Sequence, residues 1–250
     1  LQIEEKILHT GYKINYGNNV IELIKLDKGW YKFKTFRLEN RNIKLIKEFR
    51  KKFYEFSKKE KFVIFVDNRY KEKNKFLSES GLKSEYSKHS FIKNLTNHKF
   101  KYKDDFKYFS FKDVGIERFF EIYRASADNP INNILRFKKY ILRMKDENLN
   151  REILNYWKLI LIKSKIIGFI MPFIIPENPE SGTILNMGLL QEERGQGYGR
   201  IIHSKALIIL KKSGVIHYKG STESNNYAMI KIFKLNGCKK TGTINFYKAG

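Results

Sequence analysis

The 250-residue chain is short of several things that would decide its class at once. It has one cysteine, Cys238, so no disulfide framework can hold it together. A lone thiol and five scattered histidines at no metal-ligand spacing also give no zinc site, and no metal is expected. Only four prolines are present, and three of them fall between Pro172 and Pro179. The longest apolar run, Ile166 to Ile175, contains Pro172 and is far short of the roughly 18 residues a membrane span needs. No secretory leader is visible at the N-terminus, although the chain opens on Leu1 and not on Met. A soluble, cytoplasmic protein with no membrane partner is expected.

Acidic residues are scarce as well. Fifty Lys+Arg against 26 Asp+Glu leave a net charge of +24. Residues 1–100 hold 24 basic and 12 acidic side chains, or +12, which leaves +12 for residues 101–250. The excess is therefore spread along the chain and does not form a tail. Lysine supplies 39 of the 50 cations, and lysine does less of the bidentate base and phosphate recognition that arginine does. A nucleic-acid partner fits the charge, but a solvated lysine-rich surface is the favoured reading. With 42% hydrophobic and 15% aromatic residues, the chain can bury a core of one large domain or two small ones.

Periodicity predicts an alternation of strands and helices, hence an α/β fold. In the first hundred residues, strands are expected at Val20–Leu26 and Trp30–Phe36. A helix follows over Asn42–Phe56, then a strand at Phe62–Val66, a helix closing at Gly81 and a strand pair within Leu82–Leu95. Thr96 to Asp105 is polar, lysine-rich and the best linker. Beyond it come a strand near Tyr108 and helices at Val114–Tyr123 and from Asp128 to Met144. A hairpin is expected around Lys163-Ser164-Lys165, then a proline loop and a strand at Thr183–Leu190. The last elements are a helix at Gly199–Lys212, a strand at Val215–Tyr218, a helix at Asn226–Leu235 and a strand at Thr243–Tyr247. Phe62–Val66 with its helix, Gly81 and Leu82 parallels Val215–Tyr218 with its helix, Gly237 and Cys238, which suggests a repeat.

The most informative segment joins a predicted strand to a predicted helix and reads Leu189-Leu190-Gln191-Glu192-Glu193-Arg194-Gly195-Gln196-Gly197-Tyr198-Gly199-Arg200. Three alternate glycines permit positive φ and let successive backbone N–H groups converge on an anion. The helix behind them adds the positive end of its dipole, and Arg194 and Arg200 flank the loop. A Walker loop is excluded because Arg200-Ile201, not Lys-Ser/Thr, follows Gly199. The dinucleotide fingerprint is excluded by the GxGxG spacing late in the chain.

Arg194-Gly195-Gln196-Gly197-Tyr198-Gly199 resembles the Q/R-x-x-G-x-G/A pyrophosphate loop of the GCN5-related N-acetyltransferase (GNAT) family. The resemblance covers about Phe106 to the C-terminus. It implies a GNAT-like mixed sheet flanked by helices, in tandem with a degenerate N-terminal copy: residues 1–100 the degenerate domain, residues 101–250 the catalytic one. It also implies acetyl-CoA as cosubstrate and a small-molecule or peptide amine as acceptor. Arg194, Gly195, Gln196, Gly197, Tyr198, Gly199 and Arg200 would then hold the pyrophosphate. Leu189 and Leu190 would flank the acyl-pantetheine arm, with Met187-Gly188-Leu189 where the family's fourth strand splays, and Asn226 would steady the coenzyme. Where the family often has a tyrosine acid, four residues before Gly237, this chain has Phe233. No base is evident; Glu223 is a weak candidate that, with Ser221, could line the acceptor pocket, although such residues more often simply cap the next helix. Two rival functions remain open: an aminoacyl-tRNA-dependent acyl transferase and a non-catalytic coenzyme A-binding regulator.

Overall fold

The computed structural model describes residues 4–8, 11–16, 18–27, 30–39, 43–59, 63–102, 105–126 and 155–248. The chain forms a mixed α/β fold of two compact units. One comprises Leu1–Ser90, Ser221–Asn225 and Thr241–Gly250, the other Phe91–Gly220 and Asn226–Lys240. The expected helix from Asp128 to Met144 lies outside the described residues.

In the first unit, β1 (Glu4–Leu8), β2 (Gly11–Tyr16), β3 (Asn19–Asp27) and β4 (Trp30–Arg37) form an antiparallel meander. The first two strands were not expected, yet β2 carries a period-2 signal: Tyr12 and Ile14 are buried and alternate with Lys13 and Asn15. Helix α1 (Ile43–Lys59) links β4 to β5 (Val63–Asp67), which lies parallel to β4. Leu45, Phe49 and Phe53 recur every four residues on α1 and are buried, while Lys44, Lys47 and Lys51 face water. Phe49 meets Phe76 of α2 (Lys71–Glu79) edge to face at 4.9 Å. Each such side chain contributes about 1.5–3 kcal/mol by leaving water. Strand β12 (Lys239–Lys248) runs antiparallel to β5.

Leu82 to Leu95, expected as two strands, is one 12-residue strand, β6 (Lys83–Asn94). No glycine or proline interrupts it, so nothing forces a turn.

In the second unit, β7 (Lys107–Ser110), β8 (Lys158–Ile162), β9 (Lys165–Ile175) and β10 (Asn178–Leu189) are successive antiparallel neighbours. The predicted hairpin turns at Lys163 and Ser164, both with positive φ. The expected proline loop is absent. β9 runs through Pro172, and Pro176-Glu177 alone separates it from β10. Pro172 lies past Ile170, which pairs with the first residue of β8, and Pro179 lies where the β9–β10 register breaks. Both therefore sit where no ladder donor is missed. Helix α3 (Phe111–Ala125) opens on a capping box, Ser110 with Asp113, and packs Phe119 against Trp157 and Phe169. Helix α4 (Tyr198–Lys212) connects β10 to β11 (His217–Glu223), and α5 (Tyr227–Leu235) follows.

The suspected internal echo has a structural counterpart. α2 and α5 are both nine residues long and end with the same hydrogen bonds. Ser80 N donates to Phe76 O, Gly81 N to Ser78 O and Leu82 N to Leu77 O. Asn236 N donates to Ile232 O, Gly237 N to Lys234 O and Cys238 N to Phe233 O. All six positions differ by one offset of 156, for example 237 − 81. Gly81 and Gly237 both take positive φ, +80° and +72°.

Candidate functional site

β10 ends at Leu189, and a single turn of 3-10 helix at Gln191–Glu193 carries the chain toward α4. Gly195 and Gly197 adopt φ of +80° and +82°, and Gly197 is the N-cap of α4 in the left-handed region. No side chain caps this helix, so its first N–H groups, on Tyr198, Gly199 and Arg200, point out of the end of the helix. Gly199 serves a different need. A Cβ there would stand 2.7 Å from Ile232 Cδ1, so its absence lets α4 and α5 pack closely. Two glycines thus shape the loop, and the third seats the helix behind it.

The flanking side chains hold the loop in place. Arg194 donates from Nε to Leu189 O at 3.2 Å and from Nη2 to Ser126 O at 3.0 Å, tying the end of β10 to the end of α3. Glu193 is buried and paired with Lys165, whose pKa that hydrogen bond raises. Gln196 Nε2 reaches Glu192 O and Glu193 Oε2 at 3.4 Å. Arg200 lays its guanidinium over the Tyr102 ring, 5.4 Å from its centroid.

Next to this loop the sheet opens. β10 and β11 are parallel but pair only at Ser181–His217 and Gly182–Tyr218. From Thr183 to Leu189, every residue but Leu185 pairs with β9 on one side, and none has a partner in β11 on the other. The β11-facing edge of β10 therefore has no strand partner over the residues leading into the glycine loop, where Met187, Gly188 and Leu189 lie, although Met187 N donates to Asn186 Oδ1 at 2.8 Å and Leu189 O accepts from Arg194. Leu190 N is held by Ile167 O. A strand edge that can donate to an extended ligand runs directly into amides that can hold an anion.

Residues 116–237 match the model of the acetyltransferase (GNAT) family. The segment is a GNAT domain. Among solved structures, the fold resembles a GCN5-related N-acetyltransferase from Sphaerobacter thermophilus: TM-score 0.69, 10% identity, 97% of this chain and 81% of that one. It also resembles a tandem GNAT protein from the clavulanic acid biosynthesis pathway: TM-score 0.60, 10% identity, 96% and 82% covered. A third is a GNAT-family acetyltransferase from Colwellia psychrerythraea: TM-score 0.57, 14% identity, 95% and 85% covered. No curated protein sequence matches the chain. Among the described residues, no His/Cys/Asp/Glu group could hold a metal, and no helix is long and apolar enough to cross a membrane.

Within the GNAT domain, Asn226 is the N-cap of α5, its side chain accepting from Met229 N at 3.0 Å. Neither Ser221 nor Glu223 caps that helix; Glu223 is the exposed last residue of β11. Phe233 is buried, stacked on Phe91 at 4.4 Å and edge-on to His203 at 5.3 Å. Cys238 is buried too, and burial pushes its thiol up to about 12, which leaves it no thiolate to act as a nucleophile.

One functional element is absent from the sequence expectations: the polar network beneath the loop. Asn236 Nδ2 donates to Arg200 O at 2.9 Å and to His203 Nδ1 at 2.9 Å, while Asn236 Oδ1 accepts from Tyr102 Oη at 3.1 Å. Because Nδ1 of His203 accepts, its proton sits on Nε2, which faces Tyr218 Oη at 3.3 Å. Asn236 thereby locks the first turn of α4 to the end of α5. An asparagine immediately before a C-terminal glycine is an ordinary cap signal, so nothing in the sequence set it apart.

Proposed function

We propose that the chain is an N-acetyltransferase that transfers an acetyl or other acyl group from acetyl-CoA to an amine acceptor. In this reading, residues 101–250 form the catalytic domain and residues 1–100 a degenerate companion. The observation that carries the reading is the adjacency of the β10 edge that β11 leaves unpaired and the uncapped N-terminus of α4. An acyl-pantetheine arm can hydrogen-bond along the edge past Leu189 and Leu190. The pyrophosphate then meets the amides of Gln196 to Arg200, where the helix dipole and converging N–H groups favour negative charge. Gly195 and Gly197 give the loop its curvature, and Asn226 fixes the start of α5 beside the coenzyme. In this structure, Arg194 acts by bracing the loop through Leu189 O and Ser126 O.

The chemistry poses two proton problems. A free alkylamine near pKa 10.4 costs roughly 4–5 kcal/mol to neutralise at pH 7, whereas expelling a thiolate near 8.5 costs roughly 2 kcal/mol. A base near the acceptor is therefore worth more than an acid near the sulfur. Glu223 is the first carboxylate to test in that role.

Phe233 cannot donate a proton, and its ring is packed among Phe91, His203 and Tyr218. Its Cζ lies 3.0 Å from where a Gly220 Cβ would stand, so a hydroxyl added there enters packed space. Phe233→Tyr is expected to change the acyl-transfer rate by less than about tenfold, because the thiolate needs little help to leave. The acidic limb of the pH–rate profile should then report the amine or its base. A gain of a hundredfold or more would show that a catalytic acid has been lost, and would favour a coenzyme-binding regulator over an enzyme.

Calorimetry with acetyl-CoA is expected to give one site per chain. The residues entering α1, Leu38-Glu39-Asn40-Arg41-Asn42, contain no glycine, so the N-terminal copy lacks the means to build the same turn. A stoichiometry of two would overturn the division into one catalytic and one degenerate copy.

A further inference from the structure

A second cluster of cations lies behind the loop, on the side of α4 that faces the end of α5. Lys93, His98, Lys99, Lys101, Tyr102, Ser204, Leu235, Asn236 and Gly237 line a cleft of about 120 Å³. That is room for several waters and hence for one tetrahedral oxyanion. No aspartate or glutamate is among the lining residues. Among the described residues, no carboxylate forms an ion pair with Lys93, Lys99 or Lys101.

The charge in the cleft is felt by its neighbours. Burial lowers the pKa of His98, and Lys93, Lys211 and Lys101 lower it further. The fully buried His203, next to Ser204 in the helix, is lowered by burial and then by His98 and Lys93. Lys211 donates to His98 O at 3.0 Å, which fixes one more ammonium against this segment. Gly237 leaves open the space that Lys93 occupies: a Cβ there would stand 2.8 Å from its Nζ. Donors in the cleft include three ammonium groups and the buried Ser204 hydroxyl, which sits 3.3 Å from His98 Nε2. The mouth is apolar on one side, with Leu235 52% exposed, and aromatic on the other, where Tyr102 lies under Arg200.

We propose that this cleft binds a phosphate monoester, with Lys93, Lys99, Lys101 and Ser204 on its oxygens and the remainder of the ligand against Tyr102 and Leu235. A dianion of that size would neutralise like charges that face one another with no carboxylate among the lining residues. Two sources share this chemistry: the 3′-phosphate of a coenzyme A held by the glycine loop, which rests on the function proposed above, or a separate phosphorylated small molecule, which does not.

Inorganic phosphate titrated into the full chain should shift the His98 imidazole resonances saturably. The shift should need at least about tenfold more phosphate in Lys99→Gln/Lys101→Gln, whose two sites are exposed and whose fold circular dichroism would confirm. Lys93→Met should behave alike. Coenzyme A and dephospho-coenzyme A, which differ only in the 3′-phosphate, identify the source. If the coenzyme supplies the monoester, it binds at least about tenfold tighter than its dephospho form, the double variant removes that difference, and saturating coenzyme A blocks the phosphate shift. If a separate ligand supplies it, the two coenzymes bind alike and phosphate still shifts His98 in their presence. The absence of any saturable shift, together with equal coenzyme affinities, overturns the proposal. Should neither coenzyme bind while phosphate still shifts His98, the acetyl-CoA reading fails and the cleft stands.

Discussion

Gly197→Val is expected to weaken acetyl-CoA binding by about a hundredfold or more while the chain remains folded. Space is not the reason. A Cβ at Gly197 would meet nothing nearer than Arg200 Nε at 3.8 Å. The obstacle is the backbone: at φ +82° and ψ 0° the residue sits in the left-handed region, which costs an ordinary L-residue about 1–2 kcal/mol and a β-branched one more. Valine relieves that strain by rotating φ, and the rotation swings the N–H groups of Tyr198 and Gly199 off the line on which they converge. Losing two charge-assisted amide–phosphate bonds at about 1.5–3 kcal/mol each accounts for the hundredfold. Gly197→Asn, which tolerates this region better, should retain intermediate affinity. Gly199→Val should fail differently, since its Cβ would collide with Ile232 Cδ1 at 2.7 Å and lower the thermal midpoint itself. Calorimetry beside a melting curve separates the two. A folded Gly197→Val chain with unchanged affinity would remove the pyrophosphate assignment.

The loop was legible because its chemistry is local. Glycines at fixed spacing between a strand and a helix state their backbone conformation, and Gly195 and Gly197 adopt it. The elements around it were legible for the same reason, since the periodicities of α1 and α4 and the turn before β9 are properties of short windows. The prolines misled because their effect depends on which neighbouring strand is absent. Pro172 and Pro179 are harmless only because β8 begins opposite Ile170 and the β9–β10 register breaks near Asn178. The gap between β10 and β11 was equally hidden, because it is a statement about pairing that stops. The network of Tyr102, Asn236, His203 and Tyr218 spans 134 positions of sequence, from 102 to 236, and no window contains it. Lys93, Lys99 and Lys101 read as members of a solvated lysine surface until the fold set them around one cleft without a carboxylate.

Acid should expose that hidden network. His203 is fully buried, and burial, with lesser help from His98 and Lys93, pulls its pKa down to about 3. In the unfolded chain a histidine titrates near 6.5. The folded state thus holds His203 neutral where the unfolded state binds a proton. Its contribution to stability is complete above about pH 6.5 and is lost as pH falls toward 3, at about 1.4 kcal/mol per pH unit. Between pH 6.5 and 4.5 that amounts to roughly 2 kcal/mol from one side chain. The carboxylates act in a lower window. Glu22, Asp67 and Asp113 have lowered values, through hydrogen bonds from Lys34, Arg69 and Ser110 respectively. Their stabilisation begins to be lost only near the unfolded carboxylate values of about 3.9–4.3. His98 is lowered in the same direction as His203 and adds to the slope in the upper window. Urea unfolding at pH 6.5, 5.5 and 4.5 should therefore show a steep fall for the native chain. His203→Gln keeps one amide group for Asn236 or Tyr218 and has no proton to take up, so its slope should be shallower by about 1.4 kcal/mol per unit. The variant should be the less stable chain at pH 7, and its deficit should shrink as the pH is lowered. Equal slopes for the two chains would mean that His203 is not held neutral. The tautomer that links Asn236 to Tyr218, and with it the bracing of Arg200 beneath the glycine loop, would then have to be abandoned.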